Sequence, residues 1–159
     1  MSPRQFADST SFNKYGDLAR TPETLSRMKN TIVFDGLSLE FKDDHIHLKH
    51  GKNFVITPGG REAFWNYLRD QCEDHDCTSV LIEADSPTRN MDTVGAFSSG
   101  AAAASIARNL WLALCFQRYK PDDISDLFRQ AARNRGANVE FFSDPEAALL
   151  WLRANNPSF

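Results

Sequence analysis

No stretch of this 159-residue chain supplies the run of about 20 apolar residues that a bilayer-spanning helix needs. The opening residues, Met1-Ser-Pro-Arg-Gln5, lack the apolar core of a secretory signal. Cysteine is scarce. Three are present, an odd number, with Cys72 and Cys77 flanking the acidic run Glu73–Asp76 and Cys115 inside an apolar segment. That usage predicts reduced thiols in a cytoplasmic setting and excludes a disulfide framework. Positive charge is not in excess either. Lys and Arg total 18 against 21 Asp and Glu, a formal charge of −3, which disfavours a general nucleic-acid-binding surface. Two motifs are missing as well. Pro58-Gly-Gly60 is not followed by the Lys-Ser/Thr of a phosphate-binding loop. Gly95-Ala-Phe-Ser-Ser-Gly100 has the wrong register for a Gly-x-Ser-x-Gly nucleophile elbow. No internal repeat is visible, and the only biased stretch is Ala101–Ala104.

What remains is the balance of a soluble globular domain, 42% hydrophobic and 25% charged. Residues 1–30 carry scattered apolar residues without a period and read as a flexible or loosely docked extension, leaving a single domain over 31–159. Leu37-Ser-Leu-Glu-Phe41 alternates as a half-buried strand does, and Ile46 and Leu48 alternate with His45, His47 and Lys49 after a turn at Lys42–Asp44. Together they predict an antiparallel hairpin. Phe54–Ile56 either extends the sheet or leads into a helix. That helix, from about Arg61 to Glu73, places Phe64, Leu68 and Cys72 on one stripe, with Trp65 at its edge. Val80-Leu-Ile82 is apolar without alternation, as in a strand buried on both faces. A long polar loop and the small-residue segment Gly95–Arg108 follow. The last third reads strand, helix, strand, helix: Leu110–Phe116, a helix opened by Pro121-Asp-Asp123, Val139–Phe142, and a helix opened by Asp144-Pro-Glu146. The fold class is therefore α/β: an N-terminal hairpin, then alternating helices and strands in a mostly parallel mixed sheet with helices on its faces.

Several residues qualify as sites. His45 and His47 share one strand face and His50 follows. Two imidazoles at that spacing can chelate a divalent ion, but no companion ligands follow, and a solvated polar face explains them. Cys72, His75 and Cys77 lack a second ligand pair, and Cys72 belongs to an apolar stripe. No metal and no cofactor are expected. Ser98 and Ser99, followed by Gly100, are expected just ahead of a helix whose start spans Ser98–Ala104. Free backbone N–H groups there would suit an anion or a phosphoserine, while plain capping also explains serine. Glu83 and Asp85 sit where a central strand ends, a usual place for ligands in open α/β sheets. A pocket for a small apolar or anionic ligand would draw on these two carboxylates and on Trp65, Phe97, Trp111 and Phe116.

Three segments carry a resemblance: Cys77-Thr-Ser-Val-Leu-Ile-Glu83, Ala132-Arg-Asn-Arg-Gly-Ala-Asn-Val-Glu-Phe-Phe142 and Asp144-Pro-Glu-Ala-Ala-Leu-Leu-Trp-Leu152. Over about residues 35 to 153 the chain resembles the small bacterial SpoIIAA-like (STAS/SEC14-like) domains, relatives of the anti-sigma-factor antagonists. The antagonists carry a phosphorylatable serine in an Asp-Ser-Ser-Gly segment, and Phe97-Ser-Ser-Gly100 lies in the corresponding region with Phe97 in place of the aspartate. The resemblance implies a regulatory domain that docks a protein, and some relatives accommodate lipids. The leading expectation is thus a non-enzymatic interaction domain docking through the Ser98–Ala104 helix start, with a homodimer as a further possibility. The second is a lipid-like ligand binder. The third is an enzyme using Glu83, Asp85 or the histidines, disfavoured because nucleophile, base and oxyanion donors do not assemble from adjacent motifs.

Overall fold

A computed structural model describes residues 36–51, 58–85 and 93–156. The expectations for residues 1–30 and for Phe54–Ile56 lie outside these.

Strand β1 (Leu37–Lys42) turns through Asp43 and Asp44 into β2 (His45–His50), and the two pair antiparallel with Lys42 opposite His45. Asp43 takes φ +46, a left-handed conformation that aspartate tolerates better than most side chains. A 3₁₀ turn at Pro58–Gly60 leads into helix α1 (Arg61–Asp74), whose N-cap is Gly60. Then come β3 (Ser79–Ala84), α2 (Thr93–Ile106), β4 (Trp111–Phe116), α3 (Asp123–Arg133), β5 (Asn138–Phe142) and α4 (Pro145–Asn155). The last two helices start where their acidic openings predict. Asp122 accepts from the Ser125 backbone N–H at 2.8 Å and Asp144 from that of Ala147 at 3.0 Å, with Pro145 in the first helical turn.

The five strands lie in chain order, β2 to β5 mutually parallel and β1 antiparallel on the edge. Register aligns two apolar rows across the parallel strands: Ile46–Val80–Leu112–Val139 and Leu48–Ile82–Leu114–Phe141. The first row is fully buried. On this face pack Phe64, Trp65 and Leu68 of α1, Ala96, Ala103 and Ala104 of α2, and Phe128 and Ala132 of α3. The opposite face carries Leu81, Ala113 and Cys115 under Ala148 and Leu152 of α4, edged by Trp111, Phe142 and Trp151. The apolar run in β3 is therefore central and covered on both sides, as its lack of alternation predicts.

One boundary differs from expectation. Helix α2 begins at Thr93, so Ser98 and Ser99 lie inside it and not at its start. Gly95 and Gly100 have poor helix propensity, and the expected helix start at Ser98–Ala104 falls five residues too late. Packing against α3 overrides that preference. A Cβ on Gly100 would stand 2.6 Å from the Phe128 carbonyl oxygen and 3.0 Å from the Ala131 Cβ, so a bare Cα is what lets α2 lie this close.

Candidate functional site

The 14 residues of α2, Thr-Val-Gly-Ala-Phe-Ser-Ser-Gly-Ala-Ala-Ala-Ala-Ser-Ile, include no charged side chain. Ala96, Ser99, Gly100, Ala103 and Ala104 follow helical spacing on the buried side. Val94, Ser98, Ala101 and Ser105 recur on the opposite side, with Phe97 beside them. Val94 is 71% exposed and Phe97 44%. The guanidinium of Arg135 stands over the Phe97 ring, 5.2 Å from its centroid. On the other flank, Arg61 Nη1 donates to the Gly95 carbonyl at 3.5 Å.

The adjacent serines have separate fates. Ser98 is exposed, whereas Ser99 keeps only 5% of its surface and faces the core. Neither meets the free N–H groups of a helix end, because α2 starts five residues before Ser98. Both the capping role and the helix-end anion role are thereby overturned. Gly100 serves the close crossing with α3.

The expected pocket does not assemble. Trp111 and Phe116 stand five residues apart on one strand and so point to opposite faces. Trp111 packs on Trp151 at 5.6 Å on the α4 side. On the three-helix side, Trp65 (4% exposed), Phe128, Phe141 and Phe116 form a continuous chain of ring contacts, 6.4, 5.8 and 6.1 Å apart. These rings fill one another's space. Phe97 points away from them, outward from α2.

Glu83 and Asp85 are also separated. Asp85 is exposed at the strand end and accepts from Gln117 Nε2 at 3.5 Å. Glu83 faces the α4 side, where its Oε2 accepts from His47 Nε2 at 2.5 Å and lies 3.5 Å from Lys49 Nζ. The parallel register puts Lys49 opposite Glu83 and His47 one row back, so one carboxylate serves both. That juxtaposition was not anticipated. Its sequence signal was a lone acid in an otherwise uncharged strand beside a strand with a basic face.

Contrary to expectation, the histidine face is buried at His45 and half-buried at His47, and it opens to solvent at Lys49. His45 is 6% exposed, with Nδ1 donating to Asp44 Oδ1 at 2.5 Å. The C-terminal end of α4 reaches this corner. Arg153 extends to Asp44 at 3.4 Å, and Asn156 donates to Ser79 Oγ at 2.5 Å and Thr78 Oγ1 at 2.9 Å. Burial beside Phe64 pushes His50 down to about 4, so it is neutral at pH 7.

Burial raises the thiols of Cys72 and Cys77, and it pushes Cys115 up to about 11, which leaves all three protonated and unreactive at neutral pH. His75 stacks on Phe41 at 4.7 Å. Among the described residues, no three His, Cys, Asp or Glu side chains converge to hold a metal ion. Among the same residues, no helix is long and apolar enough to cross a membrane. No family model, no curated protein and no solved structure matches this chain.

Proposed function

We propose that this chain is a non-enzymatic regulatory domain of the STAS/SpoIIAA-like kind that docks a protein partner through the outer side of α2. The observation that carries this reading is the composition of that side: 14 helical residues without a charge, exposing Val94 and Phe97. Surface helices ordinarily present charged or strongly polar residues to water, and an uncharged outer side with a protruding aromatic marks an interaction site. The three sequence segments that resemble the family point to the same class of function. Ser98, exposed beside Phe97, is the serine at which a phosphate would bear on docking without entering the core. Ligand binding is the weaker reading, since the rings expected to line a pocket divide between two faces of the sheet.

Affinity capture from native extract tests the proposal. Wild type, Phe97→Asp and Leu150→Asp are compared. Leu150 is an exposed apolar residue of α4 and controls for general surface effects. A partner retained by Leu150→Asp and lost from Phe97→Asp, with unchanged thermal midpoints, supports docking through α2. A partner lost equally from both, or from neither, contradicts it.

A further inference from the structure

The charge around α2 specifies what kind of partner that side accepts. The helix is neutral, and two arginines reach it from neighbouring elements. Arg135 lies over the Phe97 ring, and Arg61 reaches the first turn from α1. Arg108, also exposed, follows two residues beyond the helix. Of the other described arginines, Arg129 pairs with Asp126 and Glu140, Arg133 with Glu140, Arg69 with Asp70, and Arg153 with Asp44, while exposed Arg118, just after β4, pairs with no acid among these residues. Arg61, Arg108 and Arg135 enter no ion pair among the described residues. Arg61 Nε is moreover buried without an acceptor among those residues.

We infer that the α2 side binds an acidic amphipathic peptide segment of a protein partner, seating apolar side chains on Val94 and Phe97 with carboxylates against Arg135 and Arg61. The inference rests on the docking reading above and adds the partner's chemistry to it. An apolar centre with an unneutralised cationic rim complements apolar residues flanked by Asp or Glu. The chain as a whole carries −3, so its general field repels an acidic partner. A local arginine rim then gives such a partner one favourable place to land, and charge-selects against basic competitors.

A random 12-residue peptide library displayed on phage is the probe. It is panned on the full chain, with Phe97→Asp for counter-selection. The expected result is Phe97-dependent sequences rich in Asp and Glu next to Leu or aromatic residues and depleted in Lys and Arg. The best synthetic peptide should weaken on Arg135→Glu by about fivefold, the size of one exposed ion pair, and should lose affinity as salt rises. Arg135→Gln gives a smaller loss in the same direction and serves if Arg135→Glu fails to fold. Phe97-dependent sequences without acidic enrichment, or affinity indifferent to Arg135, overturn the inference while leaving α2 as a docking side. Recovery of no Phe97-dependent sequence overturns it too, and the capture experiment then judges the docking reading separately. Phe97-dependent sedimentation with phosphatidylglycerol vesicles in place of peptide selection would reassign the face to anionic lipid and also overturn it.

Discussion

Helices α2 and α3 lie side by side on the same face of the sheet, yet they are built for different surroundings. Helix α3 presents charge throughout. Asp122 and Ser125 form a reciprocal capping box, Asp126 and Arg129 pair at 2.5 Å along the helix, and Arg129 and Arg133 both reach Glu140 of β5. Its apolar residues, Phe128, Ala131 and Ala132, point inward. Helix α2 has the same buried side, made of alanines and Gly100, but no charge outside. The difference teaches that burial of the inner side suffices to fold either helix, while the outer sides differ in charge, which is the contrast the docking proposal draws on.

Four predictions break or sharpen that contrast. The largest effect is expected inside α2. Ser99→Asp places a carboxylate in a site where serine is almost fully buried, and should cost about 3 kcal/mol or more in denaturant unfolding. Ser98→Asp, one residue away but exposed, should stay within about 0.5 kcal/mol. Equal losses would mean the helix is rotated from the position described.

Gly100→Ala comes next. Helix propensity alone favours alanine by about 1 kcal/mol. The new Cβ would meet a backbone carbonyl at 2.6 Å, which cannot swing aside, so we expect the clash to win with a net loss of about 1–2 kcal/mol. Stabilisation by Gly100→Ala would show that α2 and α3 are not held in close contact.

A smaller effect tests the charged helix. Burial raises the Glu140 carboxyl, but the Phe141 N–H and the guanidinium groups of Arg129 and Arg133 outweigh it, so its folded pKa is below the ordinary value. A carboxylate lowered in the folded state stabilises above its unfolded pKa, and that contribution is lost as pH falls through the folded one. Glu140→Gln should therefore lower stability at pH 7 by about 1 kcal/mol, with the gap to wild type closing in acid. A constant gap across pH would remove these ion pairs from the account.

The smallest effect is expected on the outer side. Phe97→Ser removes an exposed ring and its contact with Arg135, and should shift stability by no more than about 0.5–1 kcal/mol. A larger loss would place Phe97 in the core.

Much of the fold was legible in the chain. The alternation of Leu37–Phe41, the unbroken apolar run of Val80–Ile82 and the acidic starts at Asp122 and Asp144 each encode a local rule that packing upholds. The start of α2 was not legible, because Gly100 obeys a contact with α3 that no local pattern announces. The pocket was a readable error. Trp111 and Phe116 differ by an odd number of positions, and strand parity alone sends them to opposite faces. The pairing of His47 with Glu83 was beyond reach, since it depends on the register between strands separated by a helix. Exposure of Phe97 was hidden for a similar reason. Phe97 was expected to line a pocket, and only the position of the buried side of α2 shows that it points outward.

Site-specific photo-cross-linking tests the contrast between the two helices most directly. A photoreactive residue is placed at Ser98 on the outer side of α2 or at Gln130 on the exposed side of α3, and each protein is irradiated in native extract. The account predicts a discrete protein adduct from position 98 and none from position 130. Adducts from both, from position 130 alone, or from neither would contradict it.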